Sequence, residues 1–270
     1  MNSYTLILWI IQSYLEFKKG MNVRLSFVAV YFVISCLFSM LFVIPVLNYN
    51  IEATTEDSCD VHLYDNFDSA YVLGEGQTSP NGEWMNVYSG YGSTGVEVID
   101  GKSVFYLKPN ASSTPYDTHT HAALVKSTDK FCDFEIEFDI NTVKQLRKNS
   151  PPNVWEVGWI DFRYVDRFHH YSLLFKPNGI ELGKKDCDSC ANPVDGQQFL
   201  ETKSTPKIKL NTWNNVKIDM VDNHIKVYVN ENLAIDYVDM KMSSEMASGS
   251  IAMYSEDAYV LYNNMDVSPK

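Results

Sequence analysis

The stretch PPNVWEVGWIDFRYVDRFHHYSLLFKPNGIELGKK, residues 151–185, holds many side chains that can do chemistry. It contains two tryptophans, two histidines, two arginines and several carboxylates, all set among aliphatic residues. Carboxylates and histidines can transfer protons, and aromatic rings stack on the apolar faces of ligands. Whether these groups meet in one site depends on the elements that carry them.

Alternating residue types predict three neighbouring antiparallel strands in this stretch. A hairpin tip at Asp166-Arg167 with an even number of loop residues joins the first two strands, and the turn Pro177-Asn178 joins the last two. Directly opposed residues share a face of the sheet. The expected pairs are Asp161 with Ser172, Trp159 with Leu174, Arg163 with His170, Leu174 with Glu181 and Phe175 with Ile180.

Two faces follow from this register. The apolar face is predicted to be core and carries Ile160, Phe162, Tyr171, Leu173, Phe175, Ile180 and Leu182. The polar face carries Trp155, Trp159, Asp161, Arg163, His170, Ser172, Lys176 and Glu181. A hairpin loop of odd length would instead bury Asp161 and Arg163 under the core, which is costly.

The polar face suits the recognition of a sugar. Indole rings stack on the apolar face of a sugar ring, and charged groups hydrogen-bond its hydroxyls. The candidate ligand-binding residues are Trp155, Trp159, Arg163, His170 and Lys176. A catalytic hypothesis adds Glu181 as the acid and Asp161 as the base or nucleophile. The alternative is a solvated outer face, on which Asp161 pairs with Arg163 and Glu181 pairs with Lys176 or Lys184.

The rest of the chain after residue 60 predicts further short strands. FCDFEIEFDI, residues 131–140, alternates apolar and acidic residues, and Asp222-Asn223 is a good hairpin turn between two alternating runs. No repeat and no amphipathic helix of useful length interrupts the pattern. The expected fold class is therefore all-β, a two-sheet antiparallel jelly-roll sandwich.

The chain is acidic, with 34 acidic and 22 basic residues and a net charge of −12. Such a surface repels nucleic acid, which excludes that class of partner, and it suits neutral or cationic partners or divalent cations.

The N-terminal region predicts export. Residues 25–47 form an apolar run without a charge, long enough to cross a bilayer as an anchor or to act as a signal peptide. Residues 1–24 would remain cytoplasmic, with Met21 as a possible true start, and only this N-terminal segment would contact a membrane. A linker, 48–60, and a jelly-roll domain, 61–270, would follow outside the cell or at its surface.

Four cysteines lie outside the apolar run, and an even number in an exported chain suggests disulfides. Cys187 and Cys190 are close enough to pair with each other, which leaves Cys59 to pair with Cys132. A metal site built on these cysteines is the alternative.

Several segments together resemble the concanavalin A-like lectin/glucanase superfamily, and most of all the family sixteen glycoside hydrolases and the keto-disaccharide hydrolase domains. They are DNFDS, NGEWMNVYSGYGSTGVEVIDG, FCDFEIEFDI, WNNVKIDMVDNHIKVYVNENLAIDYVD and SGSIAMYSEDAYVLYNNMDV, within about residues 63–267. The resemblance implies a jelly roll whose concave face binds a polysaccharide. The Glu-x-Asp-x-x-Glu motif of retaining glucanases is absent, so a hydrolase here would need a different carboxylate pair.

The same resemblance implies a structural calcium ion on the convex side, between the first and last strands. The candidate ligands are Asp65, Asp68, Asn263 and Asp266, with backbone carbonyls completing the six to eight oxygens that calcium needs. A third hypothesis follows, a calcium-stabilised cell-surface structural protein without a sugar ligand.

Overall fold

The computed structural model describes residues 59–113, 119–191 and 193–270, all within the unit Asp57–Lys270. The predicted segments 1–24 and 25–47, and most of the linker 48–60, lie outside the described residues. Among the residues that are described, no helix is both long and apolar enough to cross a membrane.

Short strands dominate the described ranges, joined by turns and two 3-10 turns, Pro193–Gly196 and Ser244–Ala247. In chain order the strands are β1 (Leu63–Asp65), β2 (Tyr71–Val72), β3 (Trp84–Tyr88), β4 (Ser93–Ile99), β5 (Lys102–Lys108), β6 (Ala122–Ser127), β7 (Phe134–Gln145), β8 (Gly158–Asp166), β9 (His169–Lys176), β10 (Gly179–Asp186), β11 (Gln197–Lys203), β12 (Asn214–Val221), β13 (His224–Val229), β14 (Asn232–Val238), β15 (Ser250–Glu256) and β16 (Ala258–Pro269).

The strands form two antiparallel sheets. One follows the order β14-β13-β12-β7-β16-β5-β4-β2, with β1 paired to β16, and the other follows β11-β10-β9-β8-β15-β6-β3. Residues far apart in sequence become neighbours, because β15 lies between β8 and β6. The predicted all-β jelly-roll sandwich is confirmed.

The core lies between the sheets and is built by alternation along the strands. On β7, Phe134, Ile136 and Phe138 are fully buried, while Glu137 between them is exposed. From the other sheet, Ile160 and Phe162 of β8 belong to the same apolar cluster. The alternating pattern of the sequence therefore assigns these inward positions correctly.

Two disulfides and one hairpin also agree with the sequence analysis. Cys59 is bonded to Cys132, and Cys187 is bonded to Cys190. The turn Asp222-Asn223 joins β12 to β13 as expected. The four cysteines of the described residues are all taken up in these disulfides, so none of these four is left as a metal ligand.

Candidate functional site

The strands β8, β9 and β10 position most of the polar residues singled out above. Asp161 lies opposite Ser172 and Trp159 lies opposite Leu174, which confirms the expected register. On the next strand Glu181 lies opposite Leu174, so it shares this face as well. The apolar residues of the same strands point into the core, which makes this the outer face of the seven-stranded sheet.

A groove of about 370 Å³ crosses this face, and we call it the outer groove. Ala252, Asp161, Ser172 and Gly183 form one row of small residues across four adjacent strands, and Asp161 lines the groove. The row on one side contains Tyr254, Trp159, Leu174 and Glu181. The other side is formed by Tyr164, His170 and Lys185. The groove exists because large side chains flank a row of small ones.

Aromatic side chains form one wall of the outer groove. The rings of Trp159 and Tyr254 meet edge to face, with centroids 4.9 Å apart. The Trp159 indole donates a hydrogen bond of 2.9 Å to the Trp155 carbonyl, and Trp155 itself lines the groove. These contacts fix the indole of Trp159 in place, as a stacking platform requires.

Asp161 lies at the bottom of the outer groove and is only 3% exposed. Burial raises the pKa of its carboxyl to about 7, against the opposing effects of a hydrogen bond from Ser172 and the charge of Lys185. Its Oδ1 atom has no hydrogen-bond partner among the residues described. A carboxyl group of this kind can exchange a proton near neutral pH.

His170 is held in a defined neutral form beside this carboxyl. Its Nδ1 donates to the Asp166 carbonyl at 2.9 Å, which leaves Nε2 as the acceptor. Burial lowers the pKa of the imidazole to about 4. The Tyr164 ring packs against it, with centroids 5.3 Å apart.

Glu256, Tyr164 and Lys185 also line the outer groove, and none of the three was predicted from the sequence. Burial raises the pKa of the Glu256 carboxyl, although the Tyr254 hydroxyl donates a 2.6 Å hydrogen bond to it. Glu256 comes from β15, far along the chain from Asp161. Only the pairing of β15 with β8 brings these two strands together, and local alternation carries no signal for that pairing.

The prediction that Arg163 faces the groove opposite His170 is wrong. The register shifts after Phe162, and Arg163 has a positive φ of 49°, so its side chain turns away. Its guanidinium donates to the Met246 carbonyl at 2.9 Å and pairs with Asp133 at 2.9 Å. The expected pair of Arg163 with Asp161 does not form.

The same bulge moves the hairpin tip by one residue. Asp166 pairs with His169, so the turn is Arg167-Phe168 rather than Asp166-Arg167. The Asp166 carboxylate accepts the Phe168 N–H at 2.7 Å and stabilises this turn.

Glu181 and Lys176 form the ion pair expected for a solvated outer face, with 2.7 Å between Oε2 and Nζ. Glu181 lines the outer groove, whereas Lys176 does not. Glu181 is two strands from Asp161 and two residues out of register, roughly 12 Å between Cα atoms by strand geometry. The use of Asp161 and Glu181 together as a catalytic carboxyl pair therefore stays a prediction.

The residues proposed for calcium do not fit one ion. β1 does pair with β16, but Asp65 lies opposite Met265 and is buried, whereas Asp266 lies opposite the exposed Tyr64. Both Asp65 oxygens accept hydrogen bonds, from the Phe67 N–H and from the Asn81 and Trp84 side chains. Asp266 contacts His62 at 2.8 Å. Asp68 is exposed, and Asn263 is half-buried.

A comparison with protein-family models identifies the family to which this chain is similar. The family model described as the 3-keto-alpha-glucoside-1,2-lyase-like domain matches residues 70–268. A comparison with curated proteins gives no match. Similar solved structures include the carbohydrate-binding module CBM66 from Bacillus subtilis, with 16% identity, a TM-score of 0.49, and coverage of 73% of this chain and 99% of that one. A β-glucanase from Bacillus licheniformis has 12% identity, a TM-score of 0.45, and coverage of 77% and 98%.

Proposed function

The chain belongs to the 3-keto-alpha-glucoside-1,2-lyase-like domain family, and on that premise we propose that the outer groove binds a sugar. The observation that carries the proposal is the aromatic wall of Trp159 and Tyr254 beside the carboxyl groups of Asp161 and Glu256, which also line the groove. A sugar ring offers one apolar face for stacking and a rim of hydroxyls for hydrogen bonds. The two disulfides support a protein that works outside the cytoplasm.

Retention on polysaccharides tests this proposal. The full-length protein is applied to a panel of insoluble polysaccharides, beside a Trp155→Ala/Trp159→Ala double variant. Trp213→Ala is the matched control, because Trp213 is also partly exposed but lines a different cavity, with Asp139 and Asn215 of the nine-stranded sheet. We expect the double variant to lose retention and the control to keep it.

Two results would contradict polysaccharide binding by the outer groove. One is no retention on any polysaccharide, which leaves either a small soluble sugar or a structural protein without a sugar ligand. The other is equal retention of the wild type and the double variant. Circular dichroism of each variant shows whether the fold is kept.

A second candidate function is proton abstraction from a 3-keto sugar, and the state of Asp161 favours it. The ketone at C3 acidifies the hydrogen on C2, so a base can remove that proton. The electron pair forms a C1–C2 double bond, and the C1 substituent leaves with its bonding electrons and takes up a proton. Asp161, with a pKa of about 7 and an unpartnered oxygen, suits the base, and Glu256 suits the acid that protonates the leaving group.

Turnover of a 3-keto-α-glucoside tests this second function. We expect the full-length protein to release the C1 substituent, and Asp161→Asn to lower kcat at least about 100-fold, the usual size of a general-base contribution. Glu181→Gln separates this mechanism from a glycosidase that uses Asp161 and Glu181 together. Loss of turnover in Glu181→Gln would favour the glycosidase, and unchanged kcat in Asp161→Asn would remove Asp161 as the base.

A further inference from the structure

Three side chains that can bind a metal ion meet at the ends of β9 and β10, outside the outer groove. His169 is the first residue of β9, Asp188 follows β10, and Glu245 lies in the 3-10 turn Ser244–Ala247. We call them the His169 cluster. Three separate segments of the chain supply one ligand atom each.

The distances within the His169 cluster are close to those of a metal site. His169 Nε2 lies 3.0 Å from Asp188 Oδ1 and 3.5 Å from Glu245 Oε2. All three donor atoms lie within 4.8 Å of one another. Bonds of about 2.0–2.2 Å to a tetrahedral zinc ion place ligand atoms roughly 3.4 Å apart. Small rotations of exposed carboxylates would bring the donors to that spacing.

The imidazole of His169 is also oriented as a metal ligand would be. Its side chain is only 8% exposed, and Nδ1 lies 3.1 Å from Asp166 Oδ1. Asp166 is itself fixed, since the same oxygen accepts the N–H groups of Phe168 at 2.7 Å and His169 at 3.0 Å. Metal-binding histidines commonly hold their second ring nitrogen against a carboxylate in this way.

The His169 cluster carries more negative charge than the contacts of His62 and His224. In the described ranges, Asp188 and Glu245 have no lysine or arginine partner within ion-pair distance, only His169. His62 and His224 each meet a single carboxylate, that of Asp266 and Asp236 respectively. Even a protonated His169 would therefore leave an excess of negative charge, which a divalent cation would neutralise.

We propose that His169, Asp188 and Glu245 bind a divalent transition-metal ion of the zinc type. One imidazole and two carboxylates suit Zn²⁺, and three protein ligands leave a fourth position open to water. The Cys187–Cys190 disulfide constrains the loop that carries Asp188 and limits its freedom before the ion binds. The ion would join the β8–β9 turn, whose Arg167 lines the outer groove, to the loop after β10.

Calorimetric titration of the untagged full-length protein with ZnCl₂ tests the proposal. We expect one equivalent of Zn²⁺ to bind, Asp188→Asn and Glu245→Gln to weaken binding about 10-fold or more, and His169→Gln to abolish it. The Asp188 side chain is 81% exposed, so its substitution leaves the fold intact. Asp236→Asn is the matched control, because it alters a surface histidine–carboxylate pair that has no third ligand.

Two outcomes would overturn the site. The first is no Zn²⁺ binding to the wild type, which leaves the His169 cluster as a set of ion pairs. The second is binding that Asp188→Asn, Glu245→Gln and His169→Gln leave unchanged, which assigns the ion to other histidines. A loss in Asp188→Asn with no loss in Asp236→Asn supports the proposal.

Discussion

Asp161 and His170 lie on neighbouring strands and face the same outer groove, yet burial shifts their titration in opposite directions. The pKa of Asp161 rises from 3.8 to about 7, and that of His170 falls from 6.5 to about 4. Between pH 4 and 7 the folded state therefore holds a proton on Asp161 that the unfolded state loses, and it lacks a proton that unfolded His170 would bind.

These shifts act on the free energy of unfolding with opposite signs. As pH rises from 4 to 7, the raised pKa of Asp161 lowers the free energy of unfolding by up to about 4 kcal/mol. Over the same interval the lowered pKa of His170 increases it by up to about 3 kcal/mol. We predict that Asp161→Asn removes the first effect, so that its stability relative to wild type increases with pH. Urea unfolding at pH 4.5 and pH 7.5 measures the difference.

His170→Gln is the complementary variant. Its free energy of unfolding relative to wild type should fall as pH rises from 4.5 to 7.5, because it lacks the pH-dependent stabilisation that neutral His170 gives the wild type. A constant stability difference between wild type and Asp161→Asn at both pH values would show that Asp161 titrates as an ordinary carboxyl group.

Arg163 should act on stability and leave ligand retention unchanged. Its buried guanidinium holds the carbonyls of Met246 and Ala247 and the carboxylate of Asp133. Arg163→Ala would leave these groups without their hydrogen-bond donor. We therefore expect a loss of about 3 kcal/mol in the free energy of unfolding. The folded fraction should keep its retention on any polysaccharide that the wild type binds. Reduced retention with unchanged stability would indicate instead that Arg163 contributes to ligand binding.

The two disulfides should differ in their contributions to stability. Cys59–Cys132 spans 73 residues and Cys187–Cys190 spans three. Loop-closure entropy predicts a loss of about 4 kcal/mol for Cys59→Ser/Cys132→Ser and about 2 kcal/mol for Cys187→Ser/Cys190→Ser. Chemical denaturation of each double variant tests the order, and a larger loss from the short loop would contradict it.

Calcium should leave the thermal stability unchanged. Asp65 is occupied by internal hydrogen bonds, and Asp266 points to the opposite side of β1 and β16. We expect the Tm of the metal-free protein to be the same without and with excess CaCl₂, since Asp65 and Asp266 lie on opposite sides of the strands and do not converge on one ion. A rise in Tm with CaCl₂ that Asp266→Asn removes would restore the calcium hypothesis.

Alternation predicted the fold and much of the groove because it reflects a local property of the strands. The inward set from Ile160 to Leu182 and the outward positions of Trp159, Asp161 and Glu181 follow from a period of two residues. The turn Pro177-Asn178 fixed the register of β9 against β10, and no residue between them breaks it.

The parts that the sequence could not predict depend on a bulge and on sheet order. After Phe162 the extra residues of β8 rotate Arg163 away and bring Tyr164 to the groove. Nothing in the residue types around Arg163 signals a positive φ there. Glu256 and Tyr254 reach the groove only because β15 inserts beside β8, and such a long-range pairing leaves no local pattern.

Inward and outward positions alternate along β8, β9 and β10, and this alternation decides which sequence changes the protein can tolerate. Neighbouring positions such as Ile160 and Asp161 serve the core and the outer groove respectively. A substitution at an outward position can therefore alter ligand preference with little effect on core packing. A one-residue insertion would exchange the two sets and destroy both at once. New ligand preferences can thus arise through point substitutions in these strands, whereas insertions and deletions are tolerated only in the turns.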